Sequence, residues 1–142
     1  MSMLVLIPFM IIYEISLSWR IVYVFYGLFM SGVLAAAIGF LLAPANVRYR
    51  DIDHLVGFVT RVGFFLTPIM YTIDYIPEKY LSWYLFGNPM AVNITTVRSG
   101  ILGEPLMIEP SAVLISAAST FALLYMGLWI YSRYQNKAVK YL

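Results

Sequence analysis

The sequence has no cysteine, a single histidine, and charge on only 11% of its 142 residues. Without cysteine, disulfides, thiol catalysis and cysteine-type zinc sites are excluded. An ordinary soluble domain carries about 25% charged residues. Here 62% of the residues are hydrophobic, more apolar surface than a chain of this size hides in its own core. The net charge of +2 is slight and its cations are scattered, so no nucleic-acid partner is expected. No G-x-x-x-x-G-K-[ST] loop is present to bind ATP, and neither H-E-x-x-H nor G-x-S-x-G occurs. Apart from Glu14 there is no carboxylate within the apolar runs to relay protons. No Lys or Arg precedes Met3–Tyr13, so the start does not read as a secretory signal.

What remains is long apolar runs. Crossing the hydrocarbon core takes about 20 apolar residues in a helix. Ile21–Ala43 is charge-free between Arg20 and Pro44, and Pro110–Ser132 is charge-free up to Arg133. Leu55–Ile73 is interrupted by Arg61. A central Arg costs about 2.5–3.5 kcal/mol to insert, and each Leu, Ile, Val or Phe returns about 0.3–0.6 kcal/mol. The ten such residues in that segment roughly offset the cation, which lies near one end and can snorkel. Met3–Leu17 reads as a short fourth span, or the remainder of a longer one. The expected fold is thus an all-α polytopic membrane protein with about four transmembrane helices, over 3–17, 21–43, 55–73 and 111–132, forming a single membrane domain.

The short loop 44–54 carries Arg48 and Arg50, and the tail carries Arg133, Lys137 and Lys140. The connection Asp74–Glu109 has two cations diluted by four acids. Positive residues collect on the cytoplasmic side, so the Arg48 loop and the C-terminus are expected inside and the long connection outside.

That connection is rich in aromatics: Tyr71, Tyr75, Tyr80, Trp83, Tyr84 and Phe86 lie in it or at its edge. Ile76-Pro77-Glu78 reads as a helix start, and Asn88-Pro89 as an N-cap followed by proline in the first turn. In the second helix Met90, Ile94, Val97 and Ile101 share one face, while Asn93, Thr96 and Gly100 share the other. Gly103 and Pro105 stop it. The region 76–103 is therefore expected as two short re-entrant or interfacial helices before the last span, too short to cross.

Four groups are candidates for work. Gly27, Ser31, Ala35 and Gly39 recur every fourth residue and permit close helix approach, within one subunit or between two. The aromatics form either an interfacial belt, which composition alone favours, or a path on which flat rings meet sugar C–H groups. Arg98 faces headgroups or an anionic group such as phosphate. Asn46, Arg48, Arg50 and Asp51 concentrate cytoplasmic polarity. Asp51 and Asp53 beside His54 read as a solvated turn with local ion pairs rather than a metal site, and no metal or cofactor is expected. Asn93-Ile94-Thr95 matches the glycosylation sequon, a frequent pattern.

In order, the small-residue span, Asn46-Val47-Arg48-Tyr49-Arg50-Asp51-Ile52, Phe64-Phe65-Leu66-Thr67-Pro68-Ile69-Met70-Tyr71, Ile76-Pro77-Glu78-Lys79-Tyr80, Asn88-Pro89-Met90 and Arg98-Ser99 resemble the ABC-2 type permeases. The nearest branch exports lipid-linked O-antigen, capsule or teichoic-acid chains, and the resemblance covers about 21–142. It implies a six-span inner- or plasma-membrane subunit that pairs with itself and with a separate ABC ATPase. The four segments would match its third to sixth spans, and 77–103 its outer re-entrant pair. The resemblance further implies a transport subunit without covalent chemistry, with Tyr71, Tyr75, Trp83, Tyr84 and Arg98 along the substrate path. The family's amino-terminal interfacial helix, first two spans and coupling helix have no counterpart, so either an amino-terminally truncated permease or one whose missing half is a separate chain is expected. The rival readings are an ABC-2 permease for a small molecule and an inactive membrane fragment or scaffold.

Overall fold

The computed structural model describes residues 19–49 and 51–138, the side chains of 48 and 135–138 excepted. The described residues form five α-helices and no strand: α1 (Ile21–Arg48), α2 (Ile52–Leu66), α3 (Glu78–Gly87), α4 (Pro89–Leu102) and α5 (Pro110–Ala138), with one 3₁₀ turn at Ile73–Tyr75. The span expected over Met3–Leu17 lies outside the described residues, as does Arg50.

Two helices are long and apolar enough to cross a membrane, over Ile21–Val47 and Pro110–Tyr134. Only 22% and 17% of their most apolar stretches are buried. Phe25, Phe29, Leu114 and Phe121 point outward. A soluble core helix would hide these side chains; lipid is the solvent that accepts them.

Helix limits depart from expectation at two prolines. Pro44, expected to bound the first span, lies buried inside α1, which runs on to Arg48. The missing N–H of Pro44 removes one helical bond, yet Tyr49 N–H still reaches Ala45 O at 2.9 Å, so the helix resumes directly. Apolar spans tolerate such a break when neighbours cover it. The expected segment 55–73 is helical only to Leu66. Thr67 precedes Pro68, which disfavours the helical region for it, and Thr67 takes φ −98, ψ 140. At 15 residues, α2 is about 22 Å long.

Helix direction follows from specific contacts. The Tyr26 hydroxyl donates to Val113 O at 3.5 Å, and Gly127 lies against Ala37, Phe40 and Leu41. Hence α5 runs beside α1 in the same direction. Along the first turns of α1, Gly27 meets Asn93 and Val97, and Gly100 meets Arg20 and Val24, so α4 runs the opposite way. Two parallel helices in one chain need a return between them, and α2 leads back from the Arg48 end. The α1–α4 crossing is made at backbone contact. A Cβ on Gly27 would stand 2.7 Å from Asn93 O, and one on Gly100 would stand 2.9 Å from Val24 N. Small residues at that spacing are what close helix approach requires. At the far end of α4, Gly103 takes φ 69 in the left-handed region, a C′ glycine. The Arg20 guanidinium donates to its carbonyl.

The buried apolar cluster is small and sits where α3, α4 and the start of α5 meet: Ile73, Leu85, Val92, Ile108 and Ala112.

Candidate functional site

The chemistry-bearing residues gather where α2 ends. A helix terminus leaves its last carbonyls without helical partners, and Pro68 ensures that no further turn satisfies them. The Tyr84 hydroxyl donates to Leu66 O at 2.6 Å, and Asn88 Nδ2 donates to the same oxygen at 3.2 Å. The Tyr71 hydroxyl stands 3.2 Å from that of Tyr84 and 3.3 Å from Leu66 O. A phenol has one proton, so with Tyr84 committed to Leu66 the Tyr71 proton is best placed toward Tyr84 Oη. Burial, and secondarily Tyr71, push the Tyr84 phenol above its usual range, which keeps it a donor. Asn88 also donates to Thr67 Oγ1 at 3.3 Å, while its Oδ1 accepts from Ala91 N–H at 3.1 Å as the N-cap of α4. One asparagine thus starts α4 and holds the end of α2.

Arg98, on α4, completes the group. Nη1 donates to Tyr71 O at 2.9 Å, and Nη2 donates to Pro68 O at 2.9 Å and Ile69 O at 3.1 Å. All are carbonyls of the turn that follows α2.

The aromatic side chains expected to act together are divided. Tyr71 and Tyr84 are partly buried in this polar knot. Tyr75 and Trp83 are 81% and 79% exposed, and Tyr80 is exposed with Lys79 Nζ 5.6 Å above its ring. Sequence reasoning grouped them by composition; it missed the Leu66 carbonyl. The signal was present in Thr67-Pro68, which ends a helix beneath a set of donors.

The small residues of α1 are divided too. Gly27 is buried against α4 and Ser31 half-buried, whereas Ala35 and Gly39 are exposed, with nothing within 4 Å of a Cβ at Gly39. On the turn between α1 and α2, Asn46 sits exposed in the last turn of α1. Asp51 precedes α2 without a side-chain capping bond, and it too is exposed. Asn93 of the sequon is fully buried inside α4, closed to a glycosyl transfer enzyme in this fold.

A family model described as ABC-2 type transporter matches residues 1–102. The chain belongs to that family. Among relatives of this ABC-2 chain, an O-antigen export system permease protein RfbA of Klebsiella pneumoniae is 29% identical over 133 residues, 91% of this chain and 49% of that protein. A second protein of that name from K. pneumoniae is 28% identical over 101 residues, 71% of this chain and 38% of its own length. The one from Myxococcus xanthus is 32% identical over 90 residues, 63% and 34%. The chain spans about half the length, or less, of these relatives. No solved structure matches it at a significant level.

Proposed function

We propose that this chain is part of a permease for ATP-driven export of a lipid-linked polysaccharide across the inner or plasma membrane. The observation that carries the reading is the ABC-2 match over 1–102 together with relatives that are all O-antigen export permeases. In keeping with the ABC-2 family, ATP hydrolysis belongs to a separate ATPase. A second permease copy and the surrounding lipids complete the assembly.

In this reading α1 and α5 cross from outside to inside, α2 returns between them, and α3 and α4 form the outer re-entrant pair. The Arg48 turn and the C-terminus then face the cytoplasm, in keeping with the charge bias of their loops. Arg133 stacked 4.0 Å over Trp129 suits an interfacial anchor at that end of α5. Of the aromatic residues, Tyr75 and Trp83 are the glycan contacts, because their rings are free to stack. Tyr71, Tyr84 and Arg98 shape the path by holding its backbone. Asn46, Arg48, Arg50 and Asp51 form the cytoplasmic turn.

The test replaces Tyr75 and Trp83 together by Ala in the natural host and measures surface polysaccharide and membrane-inserted protein. Reduced polysaccharide at unchanged insertion is expected. Normal surface polymer in the double variant removes the glycan role from these rings.

A further inference from the structure

We infer that Arg98 is a positioning residue: its guanidinium pins the turn after α2 to α4 and makes residues 67–71 a fixed pivot for that helix. None of the residues of α2 is buried, so side-chain packing does not fix where α2 lies. Its start follows α1 after a short turn in which Ile52 N–H donates to Tyr49 O at 3.3 Å. At its end Thr67 and Pro68 are buried, and the backbone around them is fixed by polar contacts. Leu66 O accepts from Tyr84 and Asn88, and the carbonyls of Pro68, Ile69 and Tyr71 accept from Arg98. The other side of the joint is rigid, because α4 lies on α1 at backbone contact through Gly27 and Gly100.

The pattern of donors explains why arginine stands here. Three carbonyls accept from this one side chain, and a planar fork of five N–H donors can serve them together. With Nη1 and Nη2 committed to backbone, the guanidinium serves the shape of the path rather than the carried molecule. A push at the Asn46–Asp51 end then swings α2 about the 67–71 turn and leaves the α3–α4 pair in place. The consequence for export rests on the permease reading; the pivot itself does not.

The test is a distance measurement that is independent of transport. The sequence has no cysteine of its own. Spin labels at Phe65→Cys and Ser82→Cys report the α2 end against α3, and labels at Phe29→Cys and Phe121→Cys report α1 against α5. In lipid, the unmodified background should give one narrow distance for each pair. Arg98→Ala and Arg98→Lys should both lose the narrow Phe65–Ser82 distance and keep the narrow Phe29–Phe121 distance. A narrow Phe65–Ser82 distance in Arg98→Ala overturns the pivot. So does its full rescue by Arg98→Lys, since that would mean positive charge alone suffices. If the α1–α5 distance broadens as well, the fold has failed, and Arg98→Gln, which keeps a polar side chain but not the guanidinium fork, decides. Broadening confined to the Phe65–Ser82 pair in that variant supports the pivot, and no change overturns it. Loss of export with both distances unchanged would count against the pivot and leave the permease reading standing.

Discussion

Helices α2 and α4 are nearly equal in length, 15 and 14 residues, yet they are built on opposite plans. The more apolar of the two, α2, buries nothing. The more polar, α4, buries Ala91, Val92, Asn93, Thr95, Thr96 and Ser99, while Met90, Ile94, Val97 and Ile101 are left half-covered. In water that arrangement would be inverted. In lipid, apolar side chains gain little by leaving the solvent, so small and polar residues that allow close approach and hydrogen bonding take the inside. Thr95 and Thr96 show how polar groups are accommodated there: each hydroxyl donates to the carbonyl four residues back, at 2.8 and 2.7 Å.

The largest contrast between the two helices should come from glycine. Gly100 on α4 has no room for a side chain, whereas nothing lies within 4 Å of a Cβ at Gly57 on α2 among the described residues. Gly100→Leu should cost about 3 kcal/mol or more through overpacking against the α1 backbone. Gly57→Leu should leave the thermal unfolding of the purified chain in detergent nearly unchanged. Equal losses in both would mean that α2 packs against something as tightly as α4 does, and the contrast would fail.

A smaller difference is expected from truncating apolar side chains. Val92 on α4 is fully buried, and Phe65 on α2 is 74% exposed. Val92→Ala should destabilise by about 1–2 kcal/mol. Only the cavity part of the usual core penalty applies when the alternative environment is lipid. Phe65→Ala removes far more surface but should change unfolding by less than about 0.5 kcal/mol, as for other surface positions. The same melting experiment reads both, and a larger loss for Phe65 would reverse the assignment of inside and outside.

The sequence was most informative where a local rule has one physical outcome. Apolar length set α1 and α5, Asn88-Pro89 set the start of α4, and Gly103 set its end in the left-handed region that other residues avoid. It misled at Pro44 and Ile73. Whether a proline breaks a helix depends on what covers the freed carbonyl, and apolar composition continues past Leu66 although the helix does not. The polar knot was legible only in part. Tyr71, Tyr84 and Arg98 drew attention as residue types, but their partners are backbone oxygens of the 66–71 segment. A carbonyl has no letter in the sequence, and only the fold decides which carbonyls are left over. For the same reason the small-residue repeat in α1 could not be assigned to one neighbour: Gly27 and Gly39 face different sides.

The smallest effect should have the opposite sign. Asn93 is buried on α4, and neither Nδ2 nor Oδ1 has a hydrogen-bond partner among the described residues. A buried polar group without a partner costs about 1–3 kcal/mol, and apolar leucine has nearly the shape of asparagine. Asn93→Leu should therefore raise stability by about 1 kcal/mol, whereas removing a bonded polar group lowers it. Thr60 on α2 supplies the comparison. It is exposed and its hydroxyl already donates to Val56 O at 2.8 Å, so Thr60→Val should be close to neutral. If Asn93→Leu instead lowers the melting temperature, the amide is bonded in the membrane, to water or to chain beyond the described residues. The polar interior of α4 would then be held by hydrogen bonds throughout, and close packing against Gly27 would no longer account for its burial alone.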